Sequence, residues 1–285
     1  MPARLRRPSL LRCTAFTLIE ILVVTGIITL LAALVLSAIA SARRQAQAVV
    51  CRSNLRQISI AMTAYVVETG YYPGCQHFEG FNSDRTFAVW PIRLRPYLAP
   101  GVVAGTDNAL RVFHCPSNDI AIDWQITFGS GSQYAIQSDR GLGYRPGERL
   151  LQSSGLPFSY GYNDWGAGNN GVGNALQLGL GGDINYPPGP NAYGTELRAT
   201  RVKIPSQMIA VADSFTDSVF DYNIDPNDIN ENPGKLQNNG ANVLFCDGHV
   251  DWYLQSDLTN VNPATPQGTA MNQMWNNDYA VHTQH

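Results

Sequence analysis

The sequence predicts an α+β fold in which one long amino-terminal helix packs against a small antiparallel sheet. Residues 16–42 form an apolar run, and no proline interrupts residues 10–72, so that a single helix can continue well beyond the run. The rest of the chain is rich in Gly (26), Pro (17) and Tyr (13), which is typical of loops and short strands. Residues 243–245 and 250–254 flank Asp247-Gly248, a strong signal for a β-hairpin.

The apolar run has the length and composition of a membrane span. Roughly 20 apolar residues cross a bilayer as a helix, and residues 21–40 supply them. Glu20 is the only formally charged side chain between Phe16 and Ala42, and a carboxylate at that depth is costly enough that we expect it to have a partner. By the positive-inside rule the arginines ahead of the run place the amino end in the cytoplasm and everything after about residue 45 outside it; these are Arg4, Arg6, Arg7 and Arg12.

Beyond Ala42 the helix becomes amphipathic. Apolar side chains recur there at steps of three and four residues, which predicts one buried helical face that packs against the sheet. The members of this predicted face are Val49, Leu55, Ile58, Met62, Tyr65 and Val66. Gly70, followed by Tyr71-Tyr72-Pro73-Gly74, predicts the end of the helix, which would be roughly 80 Å long.

The segment from Arg12 to Glu20, Arg-Cys-Thr-Ala-Phe-Thr-Leu-Ile-Glu, resembles the processing site of type IV prepilins and type II secretion pseudopilins. The resemblance implies that a prepilin peptidase cuts between Ala15 and Phe16 and methylates the new amino terminus at Phe16. It also implies that Glu20 pairs with the Phe16 ammonium of its own or an adjacent subunit in a filament core. A secretory signal has its small-residue cleavage site after the apolar run, whereas in this chain the small residue precedes the run. This position agrees with cleavage ahead of the apolar run.

This resemblance divides the chain into four parts. Residues 1–15 would be the prepilin leader and 16–42 the transmembrane and assembly helix. Residues 43–70 would be its amphipathic continuation, and 71–285 an extracytoplasmic, pilin-like globular head with long loops.

Three further segments are similar to a bacterial group of pilin-like proteins with a processing-associated H-X9-DG region. They are residues 51–57 (Cys-Arg-Ser-Asn-Leu-Arg-Gln), 113–118 (Phe-His-Cys-Pro-Ser-Asn) and 159–163 (Ser-Tyr-Gly-Tyr-Asn). The His of that pattern would stand ten positions before Asp247, where this chain has Gln237. Gln237 can replace only the neutral hydrogen-bonding part of a histidine.

The resemblance implies a structural subunit of a type IV pilus-like or pseudopilus filament. Its partners would be homo- or hetero-polymers with other pilins, the prepilin peptidase, an assembly platform and the inner membrane. The subunit would cross the inner membrane once, with its head in the periplasm, and lie in a periplasmic or extracellular filament after assembly. A minor tip pilin that binds a surface or substrate is an alternative, and a membrane-anchored periplasmic enzyme is a weaker one.

Charge and motifs argue against other function classes. Fifteen Lys and Arg against twenty-two Asp and Glu give residues 16–285 a formal charge of −7. We expect no nucleic-acid ligand, because such binding needs clustered cations. The sequence contains no G-x-S-x-G, H-E-x-x-H or P-loop lysine motif, and we predict no enzymatic activity and no obligatory cofactor.

Four cysteines lie outside the leader, at positions 51, 75, 115 and 246. Outside the cytoplasm they could form up to two disulfides with three possible connectivities, or one bridge and two thiols. Our hypothesis for one bridge is Cys51 with Cys115.

One acidic loop carries the oxygen donors that calcium prefers. The candidate ligands are Asp217, Asp221, Asp225 and Asp228. Their spacing matches no fixed calcium template, so that a solvated acidic loop is the alternative interpretation.

Overall fold

A computed structural model of the chain describes residues 17–79, 86–98, 111–118, 159–167, 178–181, 183–185, 196–214 and 223–282. The chain divides into two compact units, Met1–Gln45 and Ala46–His285. In the first unit the described residues belong to one helix and the residue before it. The second unit contains the remainder of that helix and all of the described strands.

The architecture is α+β, as predicted. The helices and strands in chain order are α1 (Leu18–Thr69), β1 (Gln76–Glu79), β2 (Thr86–Val89), α2 (Trp90–Leu98), β3 (Tyr160–Tyr162), β4 (Asp183–Asn185), β5 (Ile209–Asp213), β6 (Gly240–Phe245), β7 (Val250–Leu254), α3 (Gln255–Leu258) and α4 (Pro266–Trp275). Short 3-10 turns lie at Arg111–Phe113 and Ala199–Arg201.

Helix α1 ends where the sequence predicts. Gly70 follows its last residue with φ of +80°, a left-handed conformation that glycine adopts without steric cost. The Gly70 N–H donates to the Val66 carbonyl at 2.8 Å, which satisfies one of the carbonyl groups left without a partner at a helix end. The predicted continuation of one helix through residue 68 is confirmed.

Most of the predicted face of α1 is buried. Leu55, Ile58, Met62 and Tyr65 lie in the core of the second unit, and Val66 packs against it. The prediction is wrong for Val49, which is exposed. The buried position in that turn belongs to Cys51, which lies about 200° further around the helix.

The main sheet is antiparallel, with strand order β3-β5-β6-β7. The predicted hairpin is confirmed as β6 and β7, and Gly248 in its turn has φ of +95°. The pairing of β5 with β6 has a register irregularity between Ile209 and Val211.

A second, three-stranded sheet has the order β2-β1-β4. β1 and β2 are antiparallel, whereas β1 and β4 are parallel and about a hundred residues apart in the chain. No local sequence signal predicted this pairing.

Both faces of the main sheet are covered by apolar layers. The helix-side core joins α1 and α2 to the sheet and contains Cys51, Leu55, Ile58, Ala61, Met62, Tyr65, Tyr72, Cys75, Trp90, Leu94, Val112, Phe113, Cys115, Tyr160, Tyr162, Leu180, Leu197, Val202, Met208, Ala210, Val211 and Leu244. The C-terminal core lies on α3 and α4 and contains Ala167, Ile209, Ala212, Ile224, Ala241, Val243, Phe245, Leu258, Met271 and Trp275.

The hairpin packs on α1 through one of its two faces. Val243 and Phe245 belong to the C-terminal core, and Leu244 between them belongs to the helix-side core. Because successive strand residues point to opposite faces, β6 contributes apolar side chains to both layers. Sequence alternation did not reveal the layer formed by α3 and α4.

Candidate functional site

The described part of the predicted processing and assembly site begins at Thr17. Ala15 and Phe16 lie outside the described residues, as do residues 1–14. The structure therefore places Glu20 but not the peptide bond that the sequence predicts to be cleaved.

Glu20 closes the start of α1. The Thr17 N–H and the Thr17 hydroxyl both donate to Oε2 of Glu20 at 2.8 Å, and the Glu20 N–H donates to Oγ1 of Thr17 at 3.3 Å. This reciprocal arrangement is a capping box, T-x-x-E, which satisfies N–H groups at the beginning of a helix. The motif is visible in the sequence, and our prediction missed it because we assigned the carboxylate only to the Phe16 ammonium of its own or an adjacent subunit.

The surface that follows Glu20 is apolar on all sides of α1. Large aliphatic side chains are exposed throughout the first unit, and a helix with no polar face is typical of a membrane span or a buried core helix. These side chains are Leu18, Ile19, Ile21, Leu22, Val23, Val24, Ile27, Ile28, Leu30, Leu31, Leu34, Val35, Leu36 and Ile39. In the described part of the chain, α1 is the one helix whose length and composition would allow it to cross a membrane.

The hydroxyl groups within this segment are internally satisfied. Thr25, Thr29 and Ser37 each donate to the carbonyl group three residues earlier, at 3.0, 2.9 and 2.8 Å. An apolar solvent offers no replacement for a missing hydrogen bond, so that such internal bonds make these polar residues compatible with lipid.

The predicted disulfide joins Cys51 of α1 to Cys115. It closes a loop with a sequence separation of 64 residues. Side-chain bonds reinforce the contact, since Gln47 Nε2 donates to the Pro116 carbonyl at 2.7 Å and Asn54 Nδ2 to the His114 carbonyl at 2.8 Å. The covalent bridge and these bonds fix residues 114–116 on the second half of α1.

The segments that resemble the H-X9-DG group meet in space. Ser159 N donates to the Phe113 carbonyl at 2.9 Å, and Ser159 Oγ lies 3.3 Å from Nδ1 of His114. The Tyr160 hydroxyl donates to the Cys51 carbonyl at 3.2 Å. Residues 51–57, 113–118 and 159–163 thus form one assembly around the disulfide, which the sequence alone did not indicate.

Gln237 belongs to a polar network beside this assembly. Its Oε1 accepts from Nδ2 of Asn242 at 3.0 Å, and its Nε2 donates to Ser117 Oγ at 3.5 Å. Asn238 and Asn239, both with positive φ, form a tight turn that returns the chain to β6. Gln237 therefore acts as a neutral hydrogen-bonding group, in agreement with its chemistry.

Asp213 lies at the centre of the same network and is fully buried. Its Oδ2 accepts from the Asn242 N–H at 2.7 Å and from Nδ2 of Asn242 at 2.9 Å. Arg52 of α1 donates through Nε to Oδ1 of Asn242 at 3.1 Å. Burial raises the pKa of the Asp213 carboxyl to about 7, and the Asn242 bonds and the Arg52 charge oppose that rise.

Half of the candidate calcium loop is described. Asp217 and Asp221 lie outside the described residues. Asp225 is buried and accepts from the Asn227 N–H at 2.7 Å, and Asp228 is exposed and accepts from the Asn230 N–H at 2.9 Å. Both carboxylates thus hold local turns, and within the described ranges no group of three or more His, Cys, Asp or Glu side chains is arranged to hold a metal ion.

The two remaining described cysteines, Cys75 and Cys246, are not disulfide-bonded. Cys246 is partly exposed as a residue, but its thiol lies under the surface and shares a hydrogen bond with Tyr72. Burial raises the pKa of the Cys246 thiol to about 12, which keeps it protonated and unreactive at neutral pH. The arrangement of one bridge and two thiols is therefore the one that the structure contains.

Comparison of the chain with protein-family models, with curated proteins and with solved structures finds no match to any of them.

Proposed function

We propose that this chain is a structural subunit of a type IV pilus-like or type II secretion pseudopilus filament. It is cleaved between Ala15 and Phe16, held in the inner membrane by the first part of α1, and assembled into the filament through that helix. The second unit is the extracytoplasmic head, and its fold in this proposal is pilin-like.

One observation carries the proposal. A single continuous helix changes character along its length, from apolar on every side before Ala42 to one buried face against an antiparallel sheet after Gln47. A helix of this kind suits two environments in one protein, first lipid or the apolar core of a filament, then a folded head. The prepilin-like segment immediately before it adds the chemistry of processing.

The disulfide supports an extracytoplasmic head. Disulfides persist in oxidising compartments and are rare in the cytosol, and Cys51–Cys115 lies in the second unit. The arginine-rich leader favours the same orientation, because it retains the amino end in the cytoplasm.

Mass spectrometry of the mature amino terminus tests the proposal most directly. We expect a chain that begins with N-methyl-Phe16 when the protein is isolated from membranes of a host with a prepilin peptidase. In a matched host without the peptidase, the same chain should retain residues 1–15. An unmethylated start at Met1 in both hosts would contradict the proposed processing and, with it, the proposed function.

A further inference from the structure

Among the described residues of the second unit a few large apolar side chains are exposed, and the most exposed of these fall in two places. On α1, Val49, Ile60 and Val67 are 67%, 68% and 81% exposed. On a loop far along the chain, Ile229 is 78% exposed. Single exposed apolar residues are ordinary on a protein surface, so that the question is whether these are organised.

The α1 residues form a line. Val49, Ile60 and Val67 are separated by eleven and seven residues, close to three and two helical turns, and they lie within about 20° of one another around the helix axis. Arg56, also exposed, stands seven residues after Val49 and four before Ile60, on the same line. We call Val49, Arg56, Ile60 and Val67 the outer stripe, since the opposite side of α1 is buried in the helix-side core.

The outer stripe is apolar with a cationic centre. Residues 46–67 contain no Asp or Glu, so that no acidic side chain within this stretch of α1 neutralises Arg56. A surface of this kind fits a partner that presents an apolar side chain beside a carboxylate.

The loop around Ile229 presents that combination. Asp228 is exposed beside Ile229, its Oδ1 accepts from the Asn230 N–H at 2.9 Å, and the Glu231 N–H donates to the Asp228 carbonyl at 3.1 Å. These bonds form a tight turn with Ile229 at its exposed tip. In one chain, Ile60 and Ile229 are both exposed and therefore do not cover each other.

We propose that the Asp228-Ile229 turn of one copy of this chain docks on the outer stripe of a second copy, with Asp228 against Arg56 and Ile229 against Ile60. The inference rests on the proposed function and names a contact between neighbouring subunits. The two surfaces are different, so the contact is heterologous, and a heterologous contact that does not close into a ring generates an open helical polymer. A filament requires an interface of that type.

Charge reversal in the full-length chain tests this contact. R56E or D228R alone places like charges at every interface, and we expect each to lower the yield of sheared filaments about tenfold. R56E and D228R together restore opposite charges in every subunit, and we expect the yield to return to within about twofold of the starting chain. D257R, a reversal at another exposed acid, is the matched control and should leave the yield unchanged. The contact would be overturned if the double variant gave no higher a filament yield than the lower-yielding single variant. It would also be overturned if D257R lowered the yield as much as the single variants do.

Cross-linking gives a second measurement that does not depend on filament yield. Chains carrying I60C and chains carrying I229C, both in a C246S background, are co-expressed and treated with a short bis-maleimide. We expect an I60C–I229C dimer, and none when I60C is paired with V281C on the opposite chain. Absence of the I60C–I229C dimer from intact filaments would overturn the inference.

The failure of this inference is distinguishable from failure of the proposed function. If N-methyl-Phe16 and filaments are both present while the charge and cross-linking results are negative, only the named contact is wrong. If the unaltered chain begins at Met1 and forms no filament, the proposed function and the contact are both overturned.

Discussion

At the scale of single residues, Glu20 has two possible roles that can be separated by substitution. Its carboxylate caps α1 through Thr17, and in the proposed filament it also pairs with the Phe16 ammonium. A neutral amide oxygen can still accept the capping bonds, whereas a hydrophobic isostere at Thr17 removes the hydroxyl and retains the charge. If pairing is the main role of Glu20, the amide at Glu20 should impair assembly more than the isostere at Thr17. If capping is the main role, the isostere at Thr17 should impair assembly more.

We expect E20Q to insert in the membrane and to lower filament yield more than about tenfold, because loss of one member of a desolvated charge pair leaves the other uncompensated. E20A should behave similarly in assembly, and its insertion should be unchanged or better because the charge is gone. T17V is the matched control and should lower the yield much less. Sheared filament yield and membrane fractionation measure the two effects. If T17V assembles poorly and E20Q assembles normally, capping and not pairing is the role of Glu20.

Asp213 makes head stability depend on pH. Its pKa is raised by burial to about 7 in the folded protein, above the ordinary value of an unfolded Asp. The native state therefore binds the proton more tightly than the unfolded state, and this stabilisation is complete below about pH 4 and is lost as the pH rises through about 7.

We expect the free energy of unfolding of the head to fall between pH 4.5 and pH 8 by at most about 4 kcal/mol from this group. Asp225, whose pKa burial raises to about 6, adds a fall in the same direction. In D213N the Asp213 component should disappear while the Asp225 component stays. Urea titrations of the full chain in detergent at several pH values measure the slope, and an equal slope in both proteins would contradict the assignment to Asp213.

At the scale of elements, the second half of α1 presents two faces with different energetic roles. Ile58 is fully buried in the helix-side core, and Ile60, two residues away, lies on the outer stripe. The two residues are chemically identical and differ only in which face of the same helix they occupy.

We expect I58A to destabilise the head by about 2–5 kcal/mol, because truncation removes buried methylene groups and leaves a cavity. I60A should change head stability by less than about 0.5 kcal/mol, as exposed substitutions usually do. Thermal or urea denaturation compares the two variants directly. Equal destabilisation by I58A and I60A would contradict the burial of Ile58 and the exposure of Ile60 on opposite faces of α1.

The elements that were predicted correctly are those with strong local signals. The apolar run, the buried positions from Leu55 to Tyr65, the stop at Gly70 and the Asp247-Gly248 hairpin each depend on residues close together in the chain. The parallel pairing of β1 with β4 depends on residues about a hundred positions apart. Local patterns contain no information on such pairings, and the same reason applies to the meeting of residues 113–118 with 159–163.

One omission and one error within the predicted elements have separate physical causes. The layer to which Val243 and Phe245 belong was not apparent from the sequence. α4 is short, has a weakly apolar face and follows a Pro- and Asn-rich stretch, so that its periodicity is poor. Val49 is exposed because six residues, or about 240° of helix rotation, separate it from Leu55, which places it on the opposite side of α1 from the buried face.

At the scale of the whole molecule, the main sheet of the head lies between two apolar layers. α1 contributes a large part of one layer, and α3 and α4, which follow β7, contribute a large part of the other. β5 and β6 contribute buried side chains to both layers, so that each layer depends on the same two central strands. We therefore expect a substitution that destabilises the C-terminal layer to destabilise the packing of α1 as well.

Trp275 is the side chain that tests this dependence. It is fully buried in the C-terminal core, and its Nε1 donates to the Leu258 carbonyl at 3.0 Å, which joins α4 to α3. W275A should destabilise the head by about 3–5 kcal/mol, whereas V281A, at a partly exposed position of the same segment, should have little effect. If the two layers unfold as one unit, hydrogen exchange in W275A will rise in α1 residues 51–65 as well as in α4. Faster exchange confined to α4 would show that the layer formed by α1 is stable without the C-terminal one, and filament assembly through α1 would then tolerate loss of that layer.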